Sequence, residues 1–330
     1  MSGSRTRART HSRALSTTES GLPPLIVIAG ATATGKTALS LELANLIPGA
    51  EIISADSRQV YRDMDIGTAK VTAEQRSLVP HHALDLVDPD EPFSAADYRR
   101  AALDALHSIA ARGGVALLVG GTGLYLRTVA RGVALDETGS DSAIRAELES
   151  RLERDGLDAL VVELRSIAPA VAAATDLANP RRVVRALERA MVLGDVLPEP
   201  PLGYAAPSVW IGLKLDQAAQ AWRIEDRVRA QFASGLLDEA RELRLRYDPG
   251  LRSFSAVGYH EAFAVLDGSF STDEAIQRTA ARTRQVARRQ RTWFRAEPDI
   301  NWLDAARHTT DDLTPATLRL LRSTLPELAI

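Results

Sequence analysis

Four short apolar runs set the frame of this chain. Leu25-Ile26-Val27-Ile28-Ala29 and Val115-Ala116-Leu117-Leu118-Val119 contain no polar position. A strand with one wet face alternates, so an unbroken run predicts a strand buried on both faces, as in a parallel sheet. Glu51-Ile52-Ile53-Ser54-Ala55 and Val209-Trp210-Ile211-Gly212-Leu213-Lys214-Leu215 read as further strands. Strand and helix signals alternate from residue 25 to about 135. Ser94 opens one such helix, with Asp97 in its first turn, and Gly113-Gly114 closes it near Arg112. This β-α-β order implies right-handed crossovers and ligand binding at the carboxyl ends of the strands. Residues 136–202 differ: helices near 141–155, 157–166 and 180–193, no strand, and Pro198-Glu199-Pro200-Pro201 at the end. Long helices follow near 217–247, 259–267 and 272–294.

The first apolar run leads into Gly30-Ala31-Thr32-Ala33-Thr34-Gly35-Lys36-Thr37, a complete G-x-x-x-x-G-K-[ST] phosphate loop, and then into the helical Ala38-Leu39-Ser40-Leu41-Glu42-Leu43-Ala44. Strand, glycine-rich turn and helix N-terminus make an anion site. Backbone N–H groups turn inward, Lys36 reaches the outer phosphate, and Thr37 can hold Mg²⁺. The motif predicts a bound diphosphate or triphosphate without saying whether it is fuel, cargo or leaving group. The expected fold is therefore α/β: a P-loop NTPase-like parallel sheet flanked by helices, in two parts (23–135 and 203–306), with an all-helical insertion at 136–202. A disordered tail at 1–22 and a C-terminal tail or helix at 307–330 complete it.

Bulk properties narrow the classes. A chain of 330 residues with 45% hydrophobic and 25% charged positions is ordinary for a globular protein. No apolar run approaches the roughly 18 residues of a membrane span. Net charge is -3, so nucleic-acid binding needs a local basic face. With no cysteine, disulfides, thiol nucleophiles and thiolate zinc sites are excluded, and a cytoplasmic location fits. Segment 1–22 carries Arg5, Arg7, Arg9 and Arg13 against Glu19 alone. Its low hydrophobicity predicts disorder, with an organelle transit peptide as the sharper alternative.

Two polar clusters follow buried strands: Asp56-Ser57-Arg58-Gln59-Val60-Tyr61 and Gly120-Gly121-Thr122-Gly123-Leu124-Tyr125. If all three strand ends share one sheet edge, Asp56 and Thr122 lie beside the phosphate loop. A nucleotide-hydrolysing P-loop protein usually ends an apolar strand in an acid that supports Mg²⁺ and water. Here that strand ends in Gly-Gly-Thr, which weakens an ATPase reading. Asp56 is the one acid placed to act as a base toward an attacking amine; a Mg²⁺ second-sphere contact or a helix cap are its other readings. His81-His82 is a candidate metal pair, although adjacent side chains on a strand or turn point apart, which favours a structural or substrate-channel role. Arg181, Arg182 and Arg185 read as a solvated helix face. Between Arg278 and Arg295 lie Arg282, Arg284, Arg288, Arg289 and Arg291 with no acid. Positions 278, 282, 285 and 289 share a helix face suited to phosphates, while Trp293 and Phe294 supply a buried end.

The combination carries further than any member. The Asp56–Tyr61 cluster, Met64-Asp65-Ile66-Gly67-Thr68-Ala69-Lys70, Pro80-His81-His82, the Gly120–Tyr125 cluster, Asn179-Pro180-Arg181-Arg182-Val183-Val184-Arg185-Ala186-Leu187-Glu188, Val257-Gly258-Tyr259 and Arg288-Arg289-Gln290-Arg291-Thr292-Trp293-Phe294 occur in order. Over roughly residues 24–304 the chain closely resembles the tRNA dimethylallyltransferase family, of the bacterial type without a zinc finger. The resemblance implies transfer of a dimethylallyl group from dimethylallyl diphosphate to N6 of the adenosine just 3′ of the anticodon. It further implies tRNAs reading codons that begin with U as substrates, with diphosphate as the leaving group. It implies Asp56 as base and Thr122 as aligner. Residues 30–37 with Arg227, one helical turn from Arg223, would hold the diphosphate, with Mg²⁺ at Thr37. Asp56, Ser57, Arg58, Gln59, Thr122, Arg145, Arg181, Arg182, Arg185, Gly258 and Tyr259 would meet the tRNA anticodon stem-loop. The adenine must leave its stack to react, so base flipping is expected. No feature calls for a partner subunit, and a monomer is expected.

Several positions depart from the family pattern: Ala31 and Val71 stand where proline is common, Ser255 where Gln or Arg is usual, and Leu193-Gly194-Asp195 where Thr-Gly-Lys or similar is common. The chemical groups remain. Prenyl transfer to a free adenine nucleotide, a small-molecule kinase, and a tRNA-binding relic are the competing readings. The helical insertion and arginine face oppose the first, the second would transfer a phosphoryl group and bind ATP tightly, and the intact Lys36, Asp56 and Thr122 oppose the third.

Overall fold

The computed structural model describes residues 21–133, 135, 141–305 and 310–328. Apart from Gly21 and Leu22, the basic segment 1–22 lies outside the described residues. The chain divides into two compact units, Met1–Arg131 with Gly203–Ile330, and Gly132–Leu202.

The first unit is built on one parallel sheet. Its strands are β1 (Leu25–Gly30), β2 (Ala50–Ala55), β3 (His81–His82), β4 (Val115–Gly120), β5 (Ser208–Lys214) and β6 (Ile300–Asp304), in the order β3-β2-β4-β1-β5-β6. The helices are α1 (Lys36–Leu46), α2 (Ala73–Leu78), α3 (Ala95–Ala111), α4 (Gly123–Ala130), α5 (Ser142–Asp155), α6 (Leu157–Ile167), α7 (Pro169–Ala174), α8 (Pro180–Leu193), α9 (Gln217–Ala233), α10 (Leu236–Arg246), α11 (Tyr259–Leu266), α12 (Thr272–Arg295) and α13 (Thr310–Thr324). The expected α/β architecture is present, and the unbroken apolar runs explain it. Ile26 and Ile28 pack with Leu39, Leu43 and Leu321 of α1 and α13. Leu25, Val27 and Ala29, one residue out of phase, pack with Leu106 and Ile109 of α3, Leu126 of α4 and Phe294 of α12. Each Val, Leu, Ile or Phe side chain among these removed from water contributes about 1.5–3 kcal/mol. A one-residue slip of β1 would exchange the two sets.

A second layer of helices, α9 to α12, packs on itself around Ile224, Val228, Phe254, Tyr259 and Ala287, and takes in Ala31 and Met64 from the strand-end loops. This packing fixes both loops from one side. The expected single helix over 217–247 is two helices. Gly235 at φ +103° breaks it, a left-handed conformation other residues adopt only under strain. The apolar pattern predicts neither β3 nor β6. β3 is two residues long and β6 is half-exposed at the sheet edge, so neither carries an apolar run.

The second unit holds α5 to α8 around Leu148, Leu160, Leu164, Val183 and Leu187. Glu188 is fully buried within it. Its carboxylate accepts from Arg145 Nε and Nη2, both at 3.0 Å, from the Asp141 N–H at 2.8 Å, and pairs with Arg185 at 2.9 Å. Burial alone would raise the carboxyl's pKa, but the two guanidiniums and the amide outweigh it and hold it below the ordinary 4.5. The folded unit thus takes this proton less readily than the unfolded chain. Its contribution is present above pH 4.5 and lost on acidification below it. Denaturant titrations at stepped pH are expected to show that Glu188→Gln is less stable at neutral pH and less sensitive to acid. An unchanged acid slope would remove Glu188 from that role.

Candidate active site

Strand order brings the predicted groups together. β1 lies beside β4, and β4 beside β2, so the phosphate loop, Thr122 and Asp56 follow neighbouring strand ends. They line one cavity of about 770 Å³. Its wall also takes Arg223, Arg227 and Gln231 from α9 and Arg282, Arg289 and Gln290 from α12. Among the described residues Asp56 is the sole carboxylate that lines it, against Lys36 and five arginines. A cavity so weighted is suited to a polyanion.

The loop is held by side chains from helices far away in sequence. Gly35 caps α1 in the left-handed region, and Ala33 also has positive φ, 64°. The carbonyl of Ala31 accepts from Thr34 Oγ1 at 2.9 Å and from Lys36 Nζ at 2.8 Å. Thr32 is clasped on every polar atom. Its N–H donates to Gln290 Oε1 at 2.8 Å, its carbonyl accepts from Gln220 Nε2 at 2.7 Å, and its hydroxyl accepts from Arg227 Nη2 at 2.5 Å. Gln290 also donates to the Gly121 carbonyl at 3.1 Å, tying the loop to the segment that carries Thr122. Gln220 and Gln290 give no separate signal in the sequence, because a lone amide on a helix has no recognisable spacing. The Thr32 N–H is thus already satisfied within the protein, whereas the motif assigns every residue of 30–37 to the diphosphate.

Two cations face this loop from partly dry positions. Burial depresses the Lys36 ammonium to about 8; Asp56 acts against this and Arg227 adds to it. Burial likewise lowers Arg227, with Asp56 opposing. The Arg227 Nε is buried and has no hydrogen-bond partner. An orphaned guanidinium N–H is costly to bury, and an anion would satisfy it.

On the other side, Asp56 Oδ1 accepts the Arg58 N–H at 2.9 Å, a local turn that fixes the carboxylate. The Ser57 N–H donates to Thr122 Oγ1 at 3.0 Å, and the Thr122 N–H donates to the Ala55 carbonyl at 3.1 Å. The Thr122 hydroxyl hydrogen is thereby left to donate elsewhere. The Arg58 guanidinium reaches the Arg252 and Ser253 carbonyls, each at 3.3 Å, and Ser255 Oγ at 3.1 Å. Ser255, a departure from the family pattern, thus serves as an acceptor for Arg58. Gln59 accepts from Ser54 Oγ at 2.8 Å and donates to the Thr68 and Ala69 carbonyls.

Other predicted residues lie elsewhere. Gly258 and Tyr259 do not line the cavity; Tyr259 is wholly buried, its hydroxyl donating to Glu239 at 2.6 Å. Its packed position gives it a bracing role and no open surface for RNA. Arg145 and Arg185 are engaged with Glu188, while Arg181 and Arg182 are exposed on α8, Arg182 3.4 Å from Asp176. His81 lines the cavity with Nδ1 on the Val79 carbonyl at 2.7 Å, whereas His82 Nε2 meets Glu51 at 2.7 Å. The two rings thus serve separate partners. Among the described residues no group of three or more His, Asp or Glu could hold a metal ion. None of the described helices is long and apolar enough to cross a membrane.

Comparison with known proteins places the chain among relatives that match most of its length. The family model described as IPP transferase matches residues 59–297. The tRNA dimethylallyltransferase of Symbiobacterium thermophilum is 43% identical over 92% of this chain and 96% of its own length. That of Roseiflexus castenholzii is 46% identical over 86% and 93%. A crystal structure of the full-length tRNA isopentenylpyrophosphate transferase from Bacillus halodurans matches with a TM-score of 0.69 and 38% identity, over 93% of this chain and 98% of that one. A eukaryotic dimethylallyltransferase captured acting on tRNA matches with a TM-score of 0.73 and 26% identity, over 91% and 78%. With a family model spanning more than half its residues and relatives above 40% identity over most of their length, this chain belongs to the IPP transferase family.

Proposed function

We propose that this chain transfers a dimethylallyl group from dimethylallyl diphosphate to N6 of the adenosine just 3′ of the anticodon in tRNA, releasing diphosphate. One observation carries the reading: a phosphate loop with Lys36 and Arg227 shares a cavity with a single carboxylate, Asp56, and with the Thr122 hydroxyl. The N6 amine attacks C1 of the prenyl group, the C1–O bond breaks with its electron pair leaving on diphosphate, and the amine's proton passes to Asp56. Lys36, Arg227 and the loop amides offset the charge that grows on the departing diphosphate, and such preorganised charge is the main source of rate enhancement expected in a site of this kind. Thr122, fixed by the Ser57 N–H, has its own hydrogen to offer the reacting groups. Thr37 is exposed on the cavity wall, and its hydroxyl suits Mg²⁺. This cation usually binds through one or two protein oxygens, waters and substrate phosphates, so no protein cage is needed. Bound there it would neutralise diphosphate charge.

The tRNA anticodon stem-loop is assigned to the exposed Arg181 and Arg182, with the protein acting as a monomer in the cytoplasm. On this reading log affinity for tRNA falls linearly with log salt, and Arg181→Ala and Arg182→Ala each reduce the slope by about one. Salt-independent binding would contradict it. The reaction itself is tested by incubating the protein with dimethylallyl diphosphate, Mg²⁺ and unmodified tRNA, then digesting to nucleosides for mass spectrometry. N6-isopentenyladenosine is expected. Product with free AMP and none with tRNA would replace this reading with nucleotide prenylation.

A further inference from the structure

Glu239 lies outside the cavity, yet it is the anchor of one cavity wall. It sits in the first turns of α10, and Oε2 accepts the N–H groups of Asp65 at 3.1 Å and Ile66 at 2.6 Å. Its Oε1 accepts the Gly67 N–H at 3.1 Å and the Tyr259 hydroxyl at 2.6 Å. Three successive amides closing on one anion form a nest, here filled by a carboxylate of the protein itself. Gln231 holds the same turn by donating to the Ile66 carbonyl at 2.6 Å and the Gly67 carbonyl at 3.2 Å. A Cβ on Gly67 would stand 2.5 Å from the Tyr259 ring, so the turn and Tyr259 are fitted to each other.

The far side of this turn faces the cavity through Gly67, Thr68 and Ala69. Ala69 has φ 51°, a strained value for a residue with a Cβ, which outside support must maintain. The Thr68 and Ala69 carbonyls are the acceptors that orient Gln59, three residues from Asp56. The phosphate loop has a separate set of braces, Gln220, Gln290 and Arg227. We infer that Glu239, with Tyr259, is a positioning residue for the acceptor nucleoside: it templates the 65–69 turn, which sets Gln59 and the wall met by the entering base, and leaves the diphosphate side untouched. The inference rests on the proposed tRNA prenylation.

In Glu239→Gln the new amide N–H₂ opposes the donors of the nest. The variant is expected to raise KM for tRNA by about 10–100-fold, the scale of a small misplacement, with the equilibrium Kd for dimethylallyl diphosphate unchanged at temperatures where circular dichroism shows a full fold. An unchanged tRNA KM, or equal loss of both affinities, overturns the inference. If Glu239→Gln does not fold, Tyr259→Phe decides, since it keeps the ring and removes one donor: a smaller rise in tRNA KM alone is expected, and no rise overturns it. Absence of transfer to tRNA by the unmodified protein would instead remove the underlying functional reading, and this one with it.

Discussion

Replacing Asp56 by asparagine or alanine is expected to lower kcat by about 10²–10⁴-fold, the range of a lost general base, while tRNA still binds. Asparagine is the sharper substitution. It keeps a side-chain oxygen for the Arg58 N–H, which Asp56 Oδ1 accepts at 2.9 Å, so the local turn survives and only the proton acceptor is lost. Alanine removes both. Among the described residues Asp56 is the only carboxylate lining the cavity, so none of them can substitute for it. The check is single-turnover prenyl transfer beside equilibrium tRNA binding. Turnover close to that of the unmodified protein in Asp56→Asn would remove the base assignment, and loss of both activities together would recast Asp56 as a structural residue.

The second large effect belongs to Lys36. Its ammonium is held at about 8 by burial, against the pull of Asp56 and with the repulsion of Arg227. Diphosphate binds the charged form. Below pH 8 that form is already present, while above it the site must take up a proton to bind. Affinity for dimethylallyl diphosphate is therefore expected to be flat below about pH 8 and to fall roughly tenfold per unit above it, one pKa unit being worth ~1.4 kcal/mol. Lys36→Met should weaken binding by about 10–150-fold, the loss of a charged hydrogen bond of ~1.5–3 kcal/mol, and abolish the alkaline fall. Calorimetric titration from pH 6.5 to 9.5 reads both. A flat profile in the unmodified protein would show that Lys36 does not titrate in this range.

Much of this is legible in the sequence because the relevant signals are local. The phosphate loop, the unbroken runs of β1 and β4, and the Asp56 and Thr122 clusters each announce themselves within ten residues, and parallel topology does the rest. The illegible parts are long-range or short. Gln290 acts on Thr32 across 258 positions, and Glu239 on Asp65 across 174, with no periodicity to betray either. β3 has two residues and β6 a half-exposed edge, so neither shows an apolar run. The split at Gly235 is signalled by Ser234-Gly235, but sits within a helix-favouring context. Arginines are the least decipherable: the resemblance implies Arg145 and Arg185 as RNA ligands, while the structure pairs both with the buried Glu188, a contact no local spacing signals.

The phosphate loop is the point on which the functional reading turns, since the same backbone serves kinases, hydrolases and transferases. In this cavity it faces a lone carboxylate and a hydroxyl, with no acid at the end of β4 to activate water. The most direct measurement offers the protein ATP and dimethylallyl diphosphate together with unmodified tRNA and Mg²⁺, and follows phosphate, diphosphate and modified nucleoside at once. A leaving-group holder releases one diphosphate for each N6-isopentenyladenosine formed and leaves ATP intact. ATP consumption in step with product, or diphosphate release without prenylated adenosine, would contradict that role.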